Sequence, residues 1–491
     1  MKPTIACTTL FAALALSAAP AQAQWSQSTL SQARAELASI TVGDLSFFAG
    51  GNKGNSPSKR VDIYNALTDS WDFGPHTALS VARRSIGVTS VGNYVLFAGG
   101  GYFGTGPTAV VDVYDMTTGL WSLGNPLSQA RATIGATTVG TKAMFAGGIA
   151  AGNSVSGVVD IYDSTLGPPS FEGAWSTHTL ATPRAFIAAE TAGTKALFAG
   201  GGTPITTFSV VDIYDDASDT WSQANLSQAR SVGDIASISI GSLAIFPGGQ
   251  IAAPDPMTTV VDIYDAQSNT WSAGNLSVPR SGSAVAGLGN HVLFAGGALT
   301  GAPTSTVSNV VDRYNVGTGR WDVVAPLSQA RVFLAGASGG GKIHFGGGAT
   351  SLTTMSNVLD TYEPVGVSYC GATQNSTGAA ASIDASGSKS LAANSLVLRA
   401  DDVPNTPFLF FHGGSQTQLP FGDGYLCAAG GIVRIGAAAA ATGGVAQKTV
   451  NLAAAGITTP GARHFQCWFR DVAAGGAGFN TSDAMTITFT P

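Results

Sequence analysis

The sequence predicts an all-β protein: a ring of seven small sheets followed by a separate β-sandwich region. Three observations carry that expectation. A phrase of the form Val-Asp-x-Tyr or Leu-Asp-x-Tyr recurs seven times. Glycine is 64 of 491 residues while charged residues make up only 11%, against roughly 25% in an average soluble protein. From Gly366 onward the phrase disappears, and short apolar runs alternate with small-residue loops.

The repeated phrase sits at Asp62/Tyr64, Asp112/Tyr114, Asp160/Tyr162, Asp212/Tyr214, Asp262/Tyr264, Asp312/Tyr314 and Asp360/Tyr362. A tryptophan follows at Trp71, Trp121, Trp175, Trp221, Trp271 and Trp321, with Trp175 displaced by the insert "STLGPPSFEGA". The seventh copy lacks one, and an unmatched Trp25 stands near the start. An aromatic-glycine phrase, mostly "FAGG", precedes each copy. Before that comes an arginine closing "SQAR" or a variant of it: Arg34, Arg83, Arg131, Arg184, Arg230, Arg280 and Arg331. From Trp25 to Trp321, six steps give a mean period of about 49 residues, the scale of a four-stranded repeat unit.

One unit, Arg280 to Trp321, shows how each element arises. "SGSAVAGLG" is a run of small residues, "HVLFAGG" an apolar strand ending in glycines, "VVDRYN" a third strand and "GRWDVV" a fourth after the turn "NVGTG". Four short strands joined by turns form one antiparallel sheet. Seven such sheets cannot bury both faces alone, but packed radially they bury one another, which is a β-propeller. Small residues suit the crowded innermost strand and tryptophan suits the roomier rim. In "VVDIY" the period of two places Asp262 and Tyr264 on one face, Val261 and Ile263 on the other.

The Gly-Gly pair, the Tyr and the Trp, in fixed order at this period over residues 24–365, resemble the kelch repeat. The resemblance implies a seven-bladed kelch β-propeller, a fold whose members mostly bind proteins or sugars. The plan of a seven-bladed propeller followed by a β-domain also resembles galactose oxidase. That family needs a Cys crosslinked to a Tyr and a Tyr-His pair for copper. Here the repeats hold no Cys, no Tyr precedes a His, and His76, His178, His291 and His344 fall in separate units. No copper and no other cofactor is expected. Departures from the repeat are the insert before Trp175 and Pro247 within one Gly-Gly phrase.

The first 23 residues read as an export signal: Lys2, an apolar stretch, and "AQA" at Ala21–Ala23 before the expected cleavage. The apolar run is short for a membrane span and no other segment qualifies, so a secreted or extracytoplasmic protein is expected. Removing the leader leaves Cys370, Cys427 and Cys467, and an oxidising compartment favours one disulfide and one free thiol. Cys427–Cys467 is the expected pair. Residues 366–491 read as the β-sandwich. The phrases "PFGDGYLC", "FQCWFRD" and "GFNTSDAM" resemble a C-terminal module of secreted bacterial proteins, which implies no function.

A net charge of −6 argues against a nucleic-acid partner. "GGGYFG" at Gly99–Gly104 matches a dinucleotide fingerprint, but a strand rather than a helix follows, so the match is accidental. The seven arginines match the seven aspartates one to one, so paired Arg–Asp contacts are expected rather than a ligand-binding ring. The variable segments are the loops between the glycines and "VD-x-Y", rich in Thr, Ser, Gly and Pro. On a constant scaffold, such loops carry specificity. The expected function is non-enzymatic binding or scaffolding outside the cell, with a glycan or protein partner. The other classes are an oxidase or hydrolase at the channel mouth, and a structural cell-surface component. The final unit should be closed by the segment around Trp25.

Overall fold

The computed structural model describes residues 25–491 apart from 75, 103–105, 204, 232–236, 252–256 and 301–305; the expected leader lies outside the described residues. The chain forms seven four-stranded antiparallel sheets and then a C-terminal region of further sheets. Sheet one is Ala38–Val42, Leu45–Ala49, Val61–Asn65 and Ser70–Asp72, hydrogen-bonded in chain order. Sheets two to six repeat that order. First strands of consecutive sheets touch, and the first strand of sheet seven touches that of sheet one. The sheets therefore run in a ring, an arrangement compatible with a β-propeller.

Sheet seven is assembled from both ends of the ring. Its strands Ala335–Gly339, Lys342–Gly346 and Val358–Tyr362 are completed by Trp25–Thr29 as the outer strand. Trp25 stands opposite Tyr362 in the antiparallel register, with ring centroids 5.2 Å apart. The same Tyr–Trp contact occurs in every other sheet, from Tyr64–Trp71 at 5.3 Å to Tyr314–Trp321 at 4.7 Å. In sheet three the insert ends in a short 3-10 turn, Glu172–Ala174, which returns Trp175 to its place opposite Tyr162.

The double glycines answer a close approach. Gly50 and Gly51 both have positive φ, and a Cβ on Gly50 would lie 2.6 Å from the carbonyl oxygen of Arg83 in the next unit. The Gly51 amide donates to that same oxygen. Only a residue without a side chain lets consecutive sheets approach so closely.

Beyond Tyr362 the chain enters the C-terminal region after four residues. One sheet contains Val367–Tyr369, Phe479–Phe489, Gly461–Arg470, Pro407–Gly413 and Val433–Arg434; a second contains Ser382–Ser386, Val397–Asp401 and Val445–Thr449. The two enclose one core that includes Ile383, Leu398, Phe410, Phe465, Met485 and Ile487. A hairpin, Ser415–Phe421 with Gly424–Ala429, covers the outer side of the larger sheet.

The disulfide differs from the sequence expectation. Cys427 bonds to Cys370, with Cα atoms 6.3 Å apart, and Cys467 is free and buried. The reason is the alternation of strand side chains. Gln466 faces the hairpin, where its Oε1 accepts the Cys427 amide. Cys467, one residue on, points the other way into the core, where burial pushes its thiol well above its ordinary value. Among the described residues no helix is long and apolar enough to cross a membrane.

Candidate functional site

The repeat arginines stand where the chain enters each sheet. Each is buried and ion-paired to the aspartate of its own sheet. The distances are 2.6 Å for Arg34–Asp62, 2.8 Å for Arg83–Asp112, 2.7 Å for Arg184–Asp212 and Arg230–Asp262, and 2.6 Å for Arg280–Asp312. Arg131–Asp160 and Arg331–Asp360 complete the seven. Each guanidinium also donates to the carbonyl of the Phe that opens the glycine phrase, for example Arg83 to Phe97 at 2.8 Å and Arg280 to Phe294 at 2.9 Å. The other oxygen of most of these aspartates accepts the amide three residues before the arginine, as Asp262 does from Ser227. Burial lowers the pKa of all seven arginines, Arg34 to about 10, and the paired carboxylates oppose it. These groups join the strands of a sheet to the segment that enters it.

Two residues after each arginine the backbone does something the sequence did not announce. Glu36, Ser85, Thr133, Phe186 and Phe333 all have φ between 52° and 56°, and Gly282 has 66°; the equivalent Val232 lies outside the described residues. A left-handed backbone is an outlier for a β-branched or bulky residue, yet this position holds one in sheet after sheet. Its cause is a chain of backbone hydrogen bonds around the axis. Phe333 donates to Gly282 (2.8 Å), Glu36 to Phe333 (2.9 Å), Thr133 to Ser85 (3.1 Å) and Phe186 to Thr133 (3.3 Å). The collar thereby turns its side chains toward a cavity of ≈ 720 Å³, also walled by Leu37, Ile86, Ile134 and Leu334.

The collar is chemically uneven. On sheets one and two, Glu36 and Arg84 form an ion pair at 2.6 Å, and Ser85 Oγ donates to Glu36 at 3.2 Å. Thr133 continues this polar arc. At its two ends stand the phenyl rings of Phe333 and Phe186. The connection between the second and third strands of sheet three, Ile149–Asn153, opens onto the same cavity, as do Gly106 and Pro107 of sheet two.

Deeper along the axis one residue breaks the pattern of the first strands. Glu190 stands where the sister sheets have Ile40, Thr89, Thr137, Ile238, Ala286 and Ala337. It is half-buried by area and enclosed by neighbouring strands. Burial pushes its carboxyl up to about 7, opposed by hydroxyls of Ser239 and Ser237; Ser239 Oγ donates to it at 2.5 Å. The histidines do not converge. His76 pairs with Asp72, His178 stacks on Trp221, and His291 and His344 are buried in sheets six and seven. Burial lowers His291 and His344 to about 4. Among the described residues no three His, Cys, Asp or Glu side chains gather as a metal set.

Sheet six (Ala284–Leu288, His291–Ala295, Val311–Asn315, Arg320–Val324) carries the C-terminal region. Arg313, where its sisters have Ile, Val or Thr, bridges Asp322 at 2.7 Å and Asp384 at 2.9 Å. Arg320 reaches Asp401 at 3.0 Å. This joint lies at the end of sheet six holding the turns between strands, opposite the end at which the arginines enter, so it leaves the collar uncovered. The sequence reading missed the collar, Glu190 and the joint. Their signal was deviation at fixed repeat positions: Arg in "VVDRYN", Glu in "AAET".

No protein-family model and no curated protein matches the chain. Among solved structures, the chain is similar to the one titled "Structure of YjhT", at 16% identity and a TM-score of 0.46, covering 59% of this chain and 95% of that chain.

Proposed function

We propose that this chain is a secreted kelch-type β-propeller with a C-terminal β-sandwich, and that it binds a glycan at the collar without chemical turnover. The supporting observation is the uneven collar. A polar arc of Glu36, Arg84, Ser85 and Thr133 runs between two phenyl rings around an open cavity. A sugar ring offers the complement, a C–H face for the aromatic surfaces and a hydroxyl edge for the polar arc; binding sites commonly join apolar walls to a few placed polar groups. Scarce charge on the neighbouring loops suits an uncharged, hydroxyl-rich partner. The leader expected from residues 1–23 supports an extracellular setting.

The test is a glycan array with the purified protein, then titration of the hit against Phe333→Ala and Phe186→Ala. Binding at least about tenfold weaker in each variant, with the fold intact, is expected, corresponding to about 1.4 kcal/mol or more. A hit whose affinity neither variant changes would remove the site from the collar. Binding of no glycan on the array would remove the ligand class.

A further inference from the structure

Asp483 lies at the centre of the joint between sheet six and the C-terminal region, and it is wholly buried. Its Oδ2 accepts Asn315 Nδ2 from sheet six at 3.1 Å and Ser368 Oγ at 3.2 Å; its Oδ1 accepts the Ile383 amide at 2.6 Å. All three donors are neutral, and the nearby cation, Arg313, is engaged by Asp322 and Asp384. A buried carboxylate without a cation is costly, and such a group ordinarily keeps its proton instead. Ser368 permits both states, since a hydroxyl can donate to the carboxylate or accept from the acid.

We propose that Asp483 makes this joint a proton-operated latch, closed while the carboxyl carries its proton and loosened when the proton is lost. Burial supports this by pushing the carboxyl up to about 7, against the lowering effect of the bonds from Ile383, Asn315 and Ser368, while the charge of Asp384 raises it further. The surrounding groups hold their charge states between pH 5 and 7.5. Asp384, from the strand Ser382–Ser386, is held below its ordinary value despite burial by the charge of Arg313 and the Ala385 amide. On sheet six, Arg313 is raised well above its ordinary value by Asp384 and Asp322 in spite of burial. His291, lowered to about 4 by burial and by Arg313, stays neutral. Tyr369, beside Ser368, is pushed up by burial and stays a phenol. A raised carboxyl contributes stability fully below its ordinary value near 4 and loses it as pH rises through the raised value. The joint is therefore tightest in acid, weakens toward pH 7 and levels off above.

Two amides cross the joint and report its opening: Asn290 donates to the Ser368 carbonyl and Ala372 to the Gly317 carbonyl. Hydrogen exchange at both would be measured in the full chain and in Asp483→Asn at matched pH, which cancels the intrinsic pH dependence. The ratio of native to variant exchange should rise at least about tenfold from pH 5 to 7.5, because a carboxyl raised to about 7 stands about two units above the start of that range and each unit is a factor of ten. A ratio constant with pH would overturn the proposal. Should Asp483→Asn fail to fold, Ser368→Ala serves: losing a donor to the carboxylate should move the native transition to higher pH, and an unmoved transition would equally overturn the latch.

Discussion

The buried arginines and the collar lie two residues apart in every unit and behave in opposite ways. The arginine position is the same residue in all seven units, fully enclosed, with a carboxylate of the same sheet as partner. The collar position is Glu, Ser, Thr, Phe, Val, Gly and Phe in turn, and at the six described positions it lies on a backbone that favours glycine. Uniformity marks the position whose partner is supplied by the repeat itself. Diversity at a strained position, facing a cavity, is what the proposed recognition role would produce, with a partner that comes from elsewhere. The difference teaches that constancy across repeats identifies the scaffold.

The largest effect should come from breaking the ring that holds both sets. Deleting residues 25–30 removes the outer strand of sheet seven and Trp25 from its contact with Tyr362. It also removes Leu30, which packs with Phe48 and Leu359 across sheets seven and one. The edge of the strand Val358–Tyr362 would then be uncovered. The melting temperature of the whole ring should fall in one cooperative step, together with aggregation on heating. An unchanged melting temperature would show that the closing strand does not stabilise the ring.

Next in size is loss of a single buried arginine. Arg131→Met keeps the apolar bulk but leaves Asp160 buried without its cation. Removing one partner of a buried pair costs about 3–5 kcal/mol, and denaturant titration should show it. Thr133→Ser, two residues away on the collar, should stay within about 0.5 kcal/mol, the usual range for a substitution that strands nothing. Equal losses at the two positions would erase the distinction between scaffold and collar.

Much of this was legible before the structure, for a physical reason. The Tyr–Trp contacts, the double glycines and the Arg–Asp pairs are made within a unit or between neighbouring units, so each contact is printed seven times in the chain. The Trp25 strand could be found because "WSQSTLSQAR" matches "WSQANLSQAR". What was not legible either is a backbone state that residue type does not record or occurs once. Left-handed φ at Thr133 or Phe333 leaves no mark in residue type, because neither prefers that backbone. The disulfide depended on which way Gln466 and Cys467 face. Arg313 meets Asp384 only because the C-terminal region folds back on sheet six, a contact with no second copy to reveal it.

The smallest expected effect is the sharpest test of the collar. Phe333 packs over Gly282, where an added Cβ would lie 2.6 Å from Val332 Cγ2 and 3.0 Å from the Phe333 ring. Phe333→Ala removes that ring but keeps a Cβ at φ 54°. Phe333→Gly removes both. The two variants lose the same packing, so their difference reports the cost of a side chain in the left-handed region, about 1–2 kcal/mol for an L-residue. The greater freedom of glycine in the unfolded chain subtracts roughly 0.5–1 kcal/mol from that gain. Phe333→Gly should therefore be more stable than Phe333→Ala by up to about 1.5 kcal/mol, the reverse of what the same pair of substitutions gives within an ordinary strand. If ligand binding falls equally in both variants while stability separates them, the phenyl ring is held on a strained backbone for recognition rather than for the fold. If alanine proves the more stable of the two, the collar carries no strain and its diversity needs another cause.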